Sequence, residues 1–191
     1  MDNILQNADI LHKEASDLLS SMGLLKLLTQ YGNSHLTGSY YYNLMTWRDI
    51  DICVEIDSVD KTKIFEVGRA IALFPYTSTM YFRNEFVLNT VGNPKGIFWC
   101  VEILLPSSQL WKIDILFANK EEIHKILKNG EEIKQKVTPS IRRSILEIKT
   151  PLSKRLEYRR SYRSVDIYHA VIHDGIRTVG EWDIWWKAKK R

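Results

Sequence analysis

Hydrophobic positions near the start of the chain recur with the spacing of a helix. Apolar side chains at positions 4, 5, 8, 11, 15, 18, 19 and 22 lie three or four residues apart. This pattern predicts an amphipathic helix that Gly23 interrupts. A second apolar turn over residues 24–28 ends near Gly32.

From residue 34 the pattern changes to the period of two that is typical of strands. A short strand over residues 34–37 leads into Gly38 and Ser39, and residues 49–56 alternate between apolar and polar side chains. Asp60 or Thr62 is placed to cap a helix that ends before Pro75. Three further strands are expected over residues 80–88, 96–105 and 110–118. Turn sequences around residues 92–94 and 106–108 separate them, which predicts an antiparallel meander.

After residue 119 the pattern is helical. Residues 121–137, 139–160 and 165–189 each show helical periodicity, with breaks expected near Gly130, Pro151 and Gly175. We therefore predict an α+β fold, in which helices flank a mixed β-sheet and a helical C-terminal region follows. The corresponding division is residues 1–118 for a catalytic core and residues 119–191 for the helical region.

Charge is distributed unevenly between these parts. The net charge is +4, but the chain from Thr138 onward holds 13 basic against 6 acidic side chains, and the first 137 residues hold 14 basic against 17 acidic ones. An acidic N-terminal part and a basic C-terminal part fit an enzyme that binds metal in one part and phosphates in the other. A solvated basic helical surface explains the same distribution.

The composition also indicates a cellular location. No apolar run approaches the roughly 20 residues that span a bilayer, so no membrane partner is expected. The first residues lack the basic start and apolar block of a secretory signal. Cys53 and Cys100 lie far apart in apolar runs, which predicts reduced core cysteines in a cytoplasmic protein.

The most informative segment joins Gly38 and Ser39 to Asp49 and Asp51. Side chains alternate along a strand, so the two carboxylates project from one face, roughly 6.5 Å apart. Two carboxylates on one rigid face suit Mg²⁺, which prefers hard oxygen ligands. Gly38 allows the backbone to approach a phosphate, and Ser39 offers a hydroxyl and an amide as donors.

A third acid, Asp114, lies in a strand whose other positions are nearly all apolar. A carboxylate there is costly to bury unless it is paired or binds metal. Its expected roles are metal ligand and general base for an acceptor hydroxyl. Three acids and a phosphate-binding turn provide most of what phosphoryl-type transfer requires.

Together these motifs resemble the DNA polymerase beta-like nucleotidyltransferase superfamily. The resemblance covers residues 36–117, and the small size and helical tail are similar to antibiotic nucleotidyltransferases of the lincosamide and aminoglycoside type. It implies that Gly38 and Ser39 contact the nucleotide. It also implies that Asp49, Asp51 and Asp114 are the catalytic, metal-binding carboxylates.

The expected activity is metal-dependent transfer of a nucleoside monophosphate from a nucleoside triphosphate, with ATP as the expected donor, to an acceptor hydroxyl. We expect a small hydroxylated acceptor such as an antibiotic. The alternatives are a protein or RNA acceptor, or a catalytically inactive relative that binds RNA with its basic helices.

Some residues are left open by the sequence. Glu102 faces Asp114 directly if the turn before β-strand 110–118 spans residues 106–110, and it lies on the other face if the turn is one residue shorter. Tyr40, Tyr41 and Tyr42 fit either a substrate pocket or packing. The basic cluster suits either triphosphate binding or a structural surface; its members are Lys154, Arg155, Arg159, Arg160 and Arg163.

Overall fold

The computed structural model describes residues 3–189 and places one sheet within them. The strands are β1 (Asn33–Thr37), β2 (Asp49–Glu55), β3 (Thr77–Asn84), β4 (Ile97–Leu104) and β5 (Leu110–Ala118). The helices are α1 (Asn3–Met22), α2 (Leu24–Leu28), α3 (Gly38–Tyr41), α4 (Lys61–Ala72), α5 (Glu85–Leu88), α6 (Lys120–Lys136), α7 (Pro139–Leu152), α8 (Ser164–Ile172) and α9 (Val179–Lys189).

The strand order is β1-β2-β5-β4-β3. Strand β2 pairs with β5 in parallel, whereas the other three pairs are antiparallel. The mixed sheet, and the meander of β3, β4 and β5, are therefore confirmed. This order leaves β3 at one edge of the sheet and brings β2 beside β5, although two strands separate them in the sequence.

Polar residues at the predicted boundaries cap the helices. The Asp60 carboxylate accepts hydrogen bonds from the backbone N–H groups of Thr62 (2.9 Å) and Lys63 (3.3 Å), which identifies the cap of α4. Asn119 caps α6 by accepting from the backbone N–H of Glu122 at 3.0 Å. Each cap pairs an N–H group that the first turn leaves without a helical partner.

The two faces of the sheet have different surroundings. One face carries apolar side chains such as Ile50, Val101 and Ile113 and packs against α1, α2 and α4. On the other face, α6 covers one end through Leu116 and Ile123. The remaining end of that face carries the acidic residues. A second apolar core joins α7, α8 and α9.

Two predictions for residues 80–137 were wrong, a strand boundary and a helix break. The strand expected over residues 80–88 ends at Asn84, whose side chain caps the short helix α5 by accepting from the Phe86 N–H. Gly130 does not break α6; a side chain there would lie 2.9 Å from the Tyr42 hydroxyl, so the glycine permits close packing.

The C-terminal helices are also shorter than expected. The helix predicted over residues 139–160 ends at Leu152, beside the break expected near Pro151, and the next one is divided into α8 and α9 around Gly175, where a break was also expected. Pro151 lies inside the last turn of α7. Residues 153–163 consequently form turns, so the basic cluster does not lie on a helix.

Both cysteines are buried and unpaired, as expected. Within residues 3–189, no helix has the length and apolar character needed to cross a membrane. The cytoplasmic location stays a prediction, and so does the division into regions 1–118 and 119–191.

Candidate active site

The acidic residues meet because β2 and β5 pair in parallel. Asp51 lies directly opposite Asp114 in the register, and Asp49 precedes Asp51 by two residues on the same face. All three line a cleft of about 580 Å³, whose other walls include residues of α6 and of the 158–168 segment. The structure therefore brings together the three acids that the sequence predicted.

Gly38 and Ser39 lie at the rim of the same cleft, where β1 passes into α3. Gly38 has a φ of +63°, a conformation that disfavours other residues. A Cβ atom there would lie 2.0 Å from Asp51 Oδ2, so the backbone packs directly on the carboxylate. Only glycine allows this approach, which places the backbone of the turn directly beside the Asp51 carboxylate.

Lys112 lies between two of the acids. Its Nζ donates to Asp114 Oδ2 and is 3.5 Å from Asp49 Oδ1. Burial acts to lower the pKa of Lys112, but the carboxylates of Asp49 and Asp114 outweigh it and the pKa is raised. An ammonium group therefore neutralises part of the acidic cluster.

Arg159 supplies a second cation from the turn after α7. Its guanidinium donates to Asp49 Oδ2 at 3.1 Å, and its backbone has a positive φ of 63°. The same carboxylate oxygen accepts from Trp47 Nε1 at 3.1 Å. Such a backbone conformation costs free energy in a non-glycine residue, so the turn is held by its surroundings in a form that directs Arg159 into the cleft.

Burial has a strong effect on Asp51. Desolvation in the cleft, followed by the charges of Asp49 and Asp114, raises the pKa of Asp51 from an ordinary value near 3.8 to about 7. The charges of Lys112 and Lys149 oppose this shift. In the absence of a bound cation, the site thus disfavours a fully ionised set of acids.

This shift predicts a pH dependence of stability without metal. The pKa of Asp51 is near 3.8 in the unfolded chain and about 7 in the folded protein. Folding therefore favours the protonated carboxyl group. Its contribution to the free energy of unfolding is fully present below pH 3.8 and is lost as the pH rises to about 7. Chemical denaturation of wild type and Asp51→Asn between pH 4 and pH 8 measures it. The free energy of unfolding of the variant should increase relative to that of wild type as the pH rises. If the difference between the two proteins is the same at pH 4 and pH 8, the raised pKa of Asp51 is contradicted.

The donor set fits a divalent cation with hard ligand preferences. Asp49 Oδ1 and Asp114 Oδ1 are buried and have no hydrogen-bond partner, although Asp49 Oδ1 lies 3.5 Å from Lys112 Nζ, so each oxygen retains an unused lone pair. Among the described residues, no three histidine, cysteine or acidic side chains are arranged to hold a metal ion as they stand. Mg²⁺ requires only one or two protein carboxylates when substrate phosphates complete its shell. The residues therefore fit magnesium that enters with a triphosphate.

Lys149 is a buried neighbour of the site that the sequence analysis missed. It is fully buried, and its Nζ donates to the Leu44 carbonyl at 2.7 Å and the Tyr168 hydroxyl at 2.9 Å. Desolvation lowers the pKa of Lys149 to about 7, although the charges of Asp49 and Asp51 raise it.

Lys149 also contacts Trp47, the tryptophan that donates a hydrogen bond to Asp49. Its Nζ is 4.4 Å from the centroid of the Trp47 ring. A signal for its burial was present in the sequence, because Lys149 shares the apolar face of α7 with Ile145, Ile148 and Leu152. Periodicity indicates that face, but it does not reveal the buried acceptors.

The residues that the sequence left open are divided between the cleft and other environments. The turn before β5 spans residues 105–109, so Glu102 pairs with Lys112 and Cys100 lies opposite Asp114. Glu102 is on the acidic face but does not line the cleft. Tyr42 lines it, whereas the Tyr40 ring stacks on His12 and Tyr41 donates to Glu131. Of the basic cluster, the cleft is lined by Arg159 and Arg163.

A loop after α5 closes one side of the cleft. Glu85 is 1% exposed and accepts from Arg83, from the Thr90 backbone N–H at 3.1 Å and from Asn93 Nδ2 at 2.9 Å. These hydrogen bonds outweigh desolvation and lower the pKa of Glu85 to about 2. Arg163 donates to Asn93 Oδ1 at 3.1 Å, which joins the loop to the opposite wall.

No protein-family model and no curated protein matches the sequence. Solved structures do match. The Cid1 poly(U) polymerase with MgGTP bound has a TM-score of 0.59 and 19% identity, over 85% of this chain and 50% of that one. The same polymerase with Mg 3'-dATP bound has a TM-score of 0.57 and 18% identity, over 83% and 48%. A cytoplasmic RNA terminal U-transferase has a TM-score of 0.56 and 19% identity, over 84% and 47%.

The chain therefore has the nucleotidyltransferase fold, and the predicted fold class is confirmed. It spans about half the length of these solved chains. These three structures are of a poly(U) polymerase and of an RNA terminal U-transferase, and neither protein is described as an antibiotic nucleotidyltransferase.

Proposed function

We propose that this protein is a magnesium-dependent nucleotidyltransferase, which moves a nucleoside monophosphate from a nucleoside triphosphate to an acceptor hydroxyl and releases pyrophosphate. The observation that carries the proposal is the direct register of Asp51 with Asp114, beside Asp49 and beneath the Gly38 backbone. A structural sheet gains nothing from three clustered acids, since their mutual repulsion opposes folding.

Asp49 and Asp51 would hold the magnesium together with triphosphate oxygens. When bound, the metal neutralises charge on the phosphates during transfer. The backbone at Gly38 and the hydroxyl and amide of Ser39 would bind the triphosphate on the β1 side. Each of these protein groups acts by position and charge, which is what phosphoryl-type transfer requires of a protein.

Asp114 is proposed to accept the proton of the acceptor hydroxyl, and it can also ligate metal. Its Oδ1 is buried without a hydrogen-bond partner, so a lone pair is available. Lys112 donates to the other oxygen, Oδ2, and thereby fixes the orientation of the carboxylate. A positioned carboxylate within hydrogen-bond reach of the hydroxyl satisfies the geometric requirement for a general base.

The main experiment tests transfer directly. Purified protein with Mg²⁺ is incubated with each of the four labelled nucleoside triphosphates, and with either an RNA oligonucleotide or a panel of hydroxylated small molecules. We propose the 3′-hydroxyl of RNA as the acceptor, a preference that the similarity to RNA transferases supports. Labelled RNA is the expected product. Labelling confined to small molecules would restore the acceptor expected from the sequence, and no pyrophosphate release with any pair would count against the enzyme itself.

Arg159 provides a test of the cation arrangement. Arg159 lines the cleft and donates to Asp49, so its guanidinium would also reach triphosphate oxygens held beside Asp49, and Arg159→Ala should weaken triphosphate binding. A hydrogen bond to a charged group contributes about 1.5–3 kcal/mol, which corresponds to at least a tenfold loss of affinity. Titration calorimetry with Mg²⁺ and a non-hydrolysable triphosphate measures the effect.

Arg160 is the matched control for this test. It is the next residue, it is exposed, and it does not line the cleft. Arg160→Ala should leave triphosphate affinity within about twofold, because an exposed cation outside the site is screened by solvent. Equal losses in the two variants would indicate a diffuse basic surface in place of a specific contact.

A further inference from the structure

The proposed chemistry fixes the side from which an acceptor enters. In phosphoryl-type transfer the attacking and leaving oxygens lie roughly in line through the phosphorus. Gly38, which packs on Asp51, marks the triphosphate position on the β1 side of the acids. The acceptor hydroxyl must therefore approach from the other side of Asp114, over β4 and β3. This deduction rests on the proposed function.

The strand register identifies what lies on that side. Asp51 is opposite Asp114, Asp114 is opposite Cys100, and Cys100 is opposite Tyr81. Directly paired residues project from the same face, so these four side chains form one row across the sheet. Two spacings between strands place the Tyr81 backbone about 10 Å from that of Asp114.

Tyr81 and Arg83 are the prominent side chains of β3 on this face. Tyr81 is 55% exposed, whereas Cys100 between it and Asp114 is small and buried. Arg83 lines the cleft, pairs with buried Glu85 and lies 5.4 Å from the centroid of the Phe98 ring. On the far side of Cys100 from the proposed general base, the same face of the sheet thus carries an accessible aromatic ring at Tyr81 and a guanidinium that Glu85 fixes at Arg83.

We propose that Tyr81 and Arg83 form the acceptor site and bind the 3′ end of a single-stranded RNA. The terminal base stacks on Tyr81, and Arg83 pairs with a backbone phosphate. Strand β3 is the edge of the sheet in the described part of the chain. The site is therefore open on the side away from Asp114, so that a polymer continues past it.

A variant pair at Tyr81 tests the site. Tyr81→Ala removes the ring and should raise KM for an RNA oligonucleotide at least about fivefold, as the loss of base stacking on an aromatic side chain predicts. KM for the nucleoside triphosphate should be unchanged, and Tyr81→Phe should restore the acceptor KM. Phe65→Ala is the matched control, because Phe65 is 50% exposed on α4, against the opposite face.

A binding measurement separates this proposal from the proposed activity. Fluorescence anisotropy with an RNA that ends in a 3′-deoxynucleotide reports acceptor binding without transfer. RNA binding that depends on Tyr81 supports the site even if no transfer occurs, in which case the proposed activity alone fails. Transfer to RNA with an acceptor KM that Tyr81→Ala does not change, or no RNA binding by wild type, overturns the site.

Arg83 is tested by salt dependence. Each phosphate contact releases counterions, so Arg83→Gln should lower the slope of log affinity against log salt by about one, while Arg83→Lys should preserve it. Glu85 also accepts hydrogen bonds from Thr90 and Asn93, and neither of these involves Arg83. An unchanged slope in Arg83→Gln would remove Arg83 from the site.

Discussion

Asp51→Asn is expected to abolish nucleotide transfer while the protein stays folded. An amide of the same size keeps the packing against Gly38 but loses the negative charge that holds the cation. Metal binding contributes several kcal/mol of charge stabilisation in the transition state, and each 1.4 kcal/mol is a factor of ten in rate. The transfer rate with Mg²⁺ should therefore fall by roughly 10³-fold or more.

Asp57→Asn is the control for this change. Asp57 is exposed, two residues beyond the end of β2, so the same chemical substitution there removes a charge outside the cleft. Its transfer rate should match that of wild type. Wild-type activity in Asp51→Asn, measured as pyrophosphate release at saturating Mg²⁺, would remove Asp51 from the metal site.

Gly38→Ala is expected to disable the site by a steric route. The new Cβ would lie 2.0 Å from Asp51 Oδ2 and 2.8 Å from its Cγ, so either the turn or the carboxylate must move. Overpacking of this kind costs about 1–3 kcal/mol of stability. A displacement of about 1 Å at a reacting group can cost roughly 10²-fold in rate, so the transfer rate should fall at least that far.

Gly23→Ala is the control that separates the effect of backbone strain from the steric effect. Gly23 also has a positive φ, of 58°, but no heavy atom lies within 4 Å of the position that its Cβ would take. This variant should lose stability through backbone strain alone, about 1–2 kcal/mol, and keep full activity. Thermal melting and transfer assays of both variants make the comparison. If Gly38→Ala behaves like Gly23→Ala in both assays, the close approach to Asp51 has no functional role.

Local spacing was enough to predict the individual parts of the candidate site. The alternation around Asp49 and Asp51 placed both carboxylates on one face of β2, and the apolar strand around Asp114 was predicted with the bounds that the structure shows. Side-chain period is a property of the strand itself, so it does not depend on which neighbour the strand acquires.

Boundaries were predicted less well where local signals were ambiguous. Residues 80–88 are apolar at both ends of the segment and suit a strand or a short helix, and the Asn84 cap divides them between the two. The register of Glu102 depended on a single residue in the turn before β5. A shift of one residue in a hairpin changes every pair along it, which is why pattern alone left Glu102 open.

The sequence by itself determined which face of each strand the acids occupy and that a glycine precedes them. Only the tertiary structure decided that Asp51 and Asp114 share one register and that Lys112 and Arg159 neutralise Asp49. Parallel pairing of β2 with β5 joins segments about 60 residues apart, and Arg159 is further still along the chain. Periodicity describes neighbours within about two turns or one strand, whereas these contacts depend on the free energy of packing the whole chain.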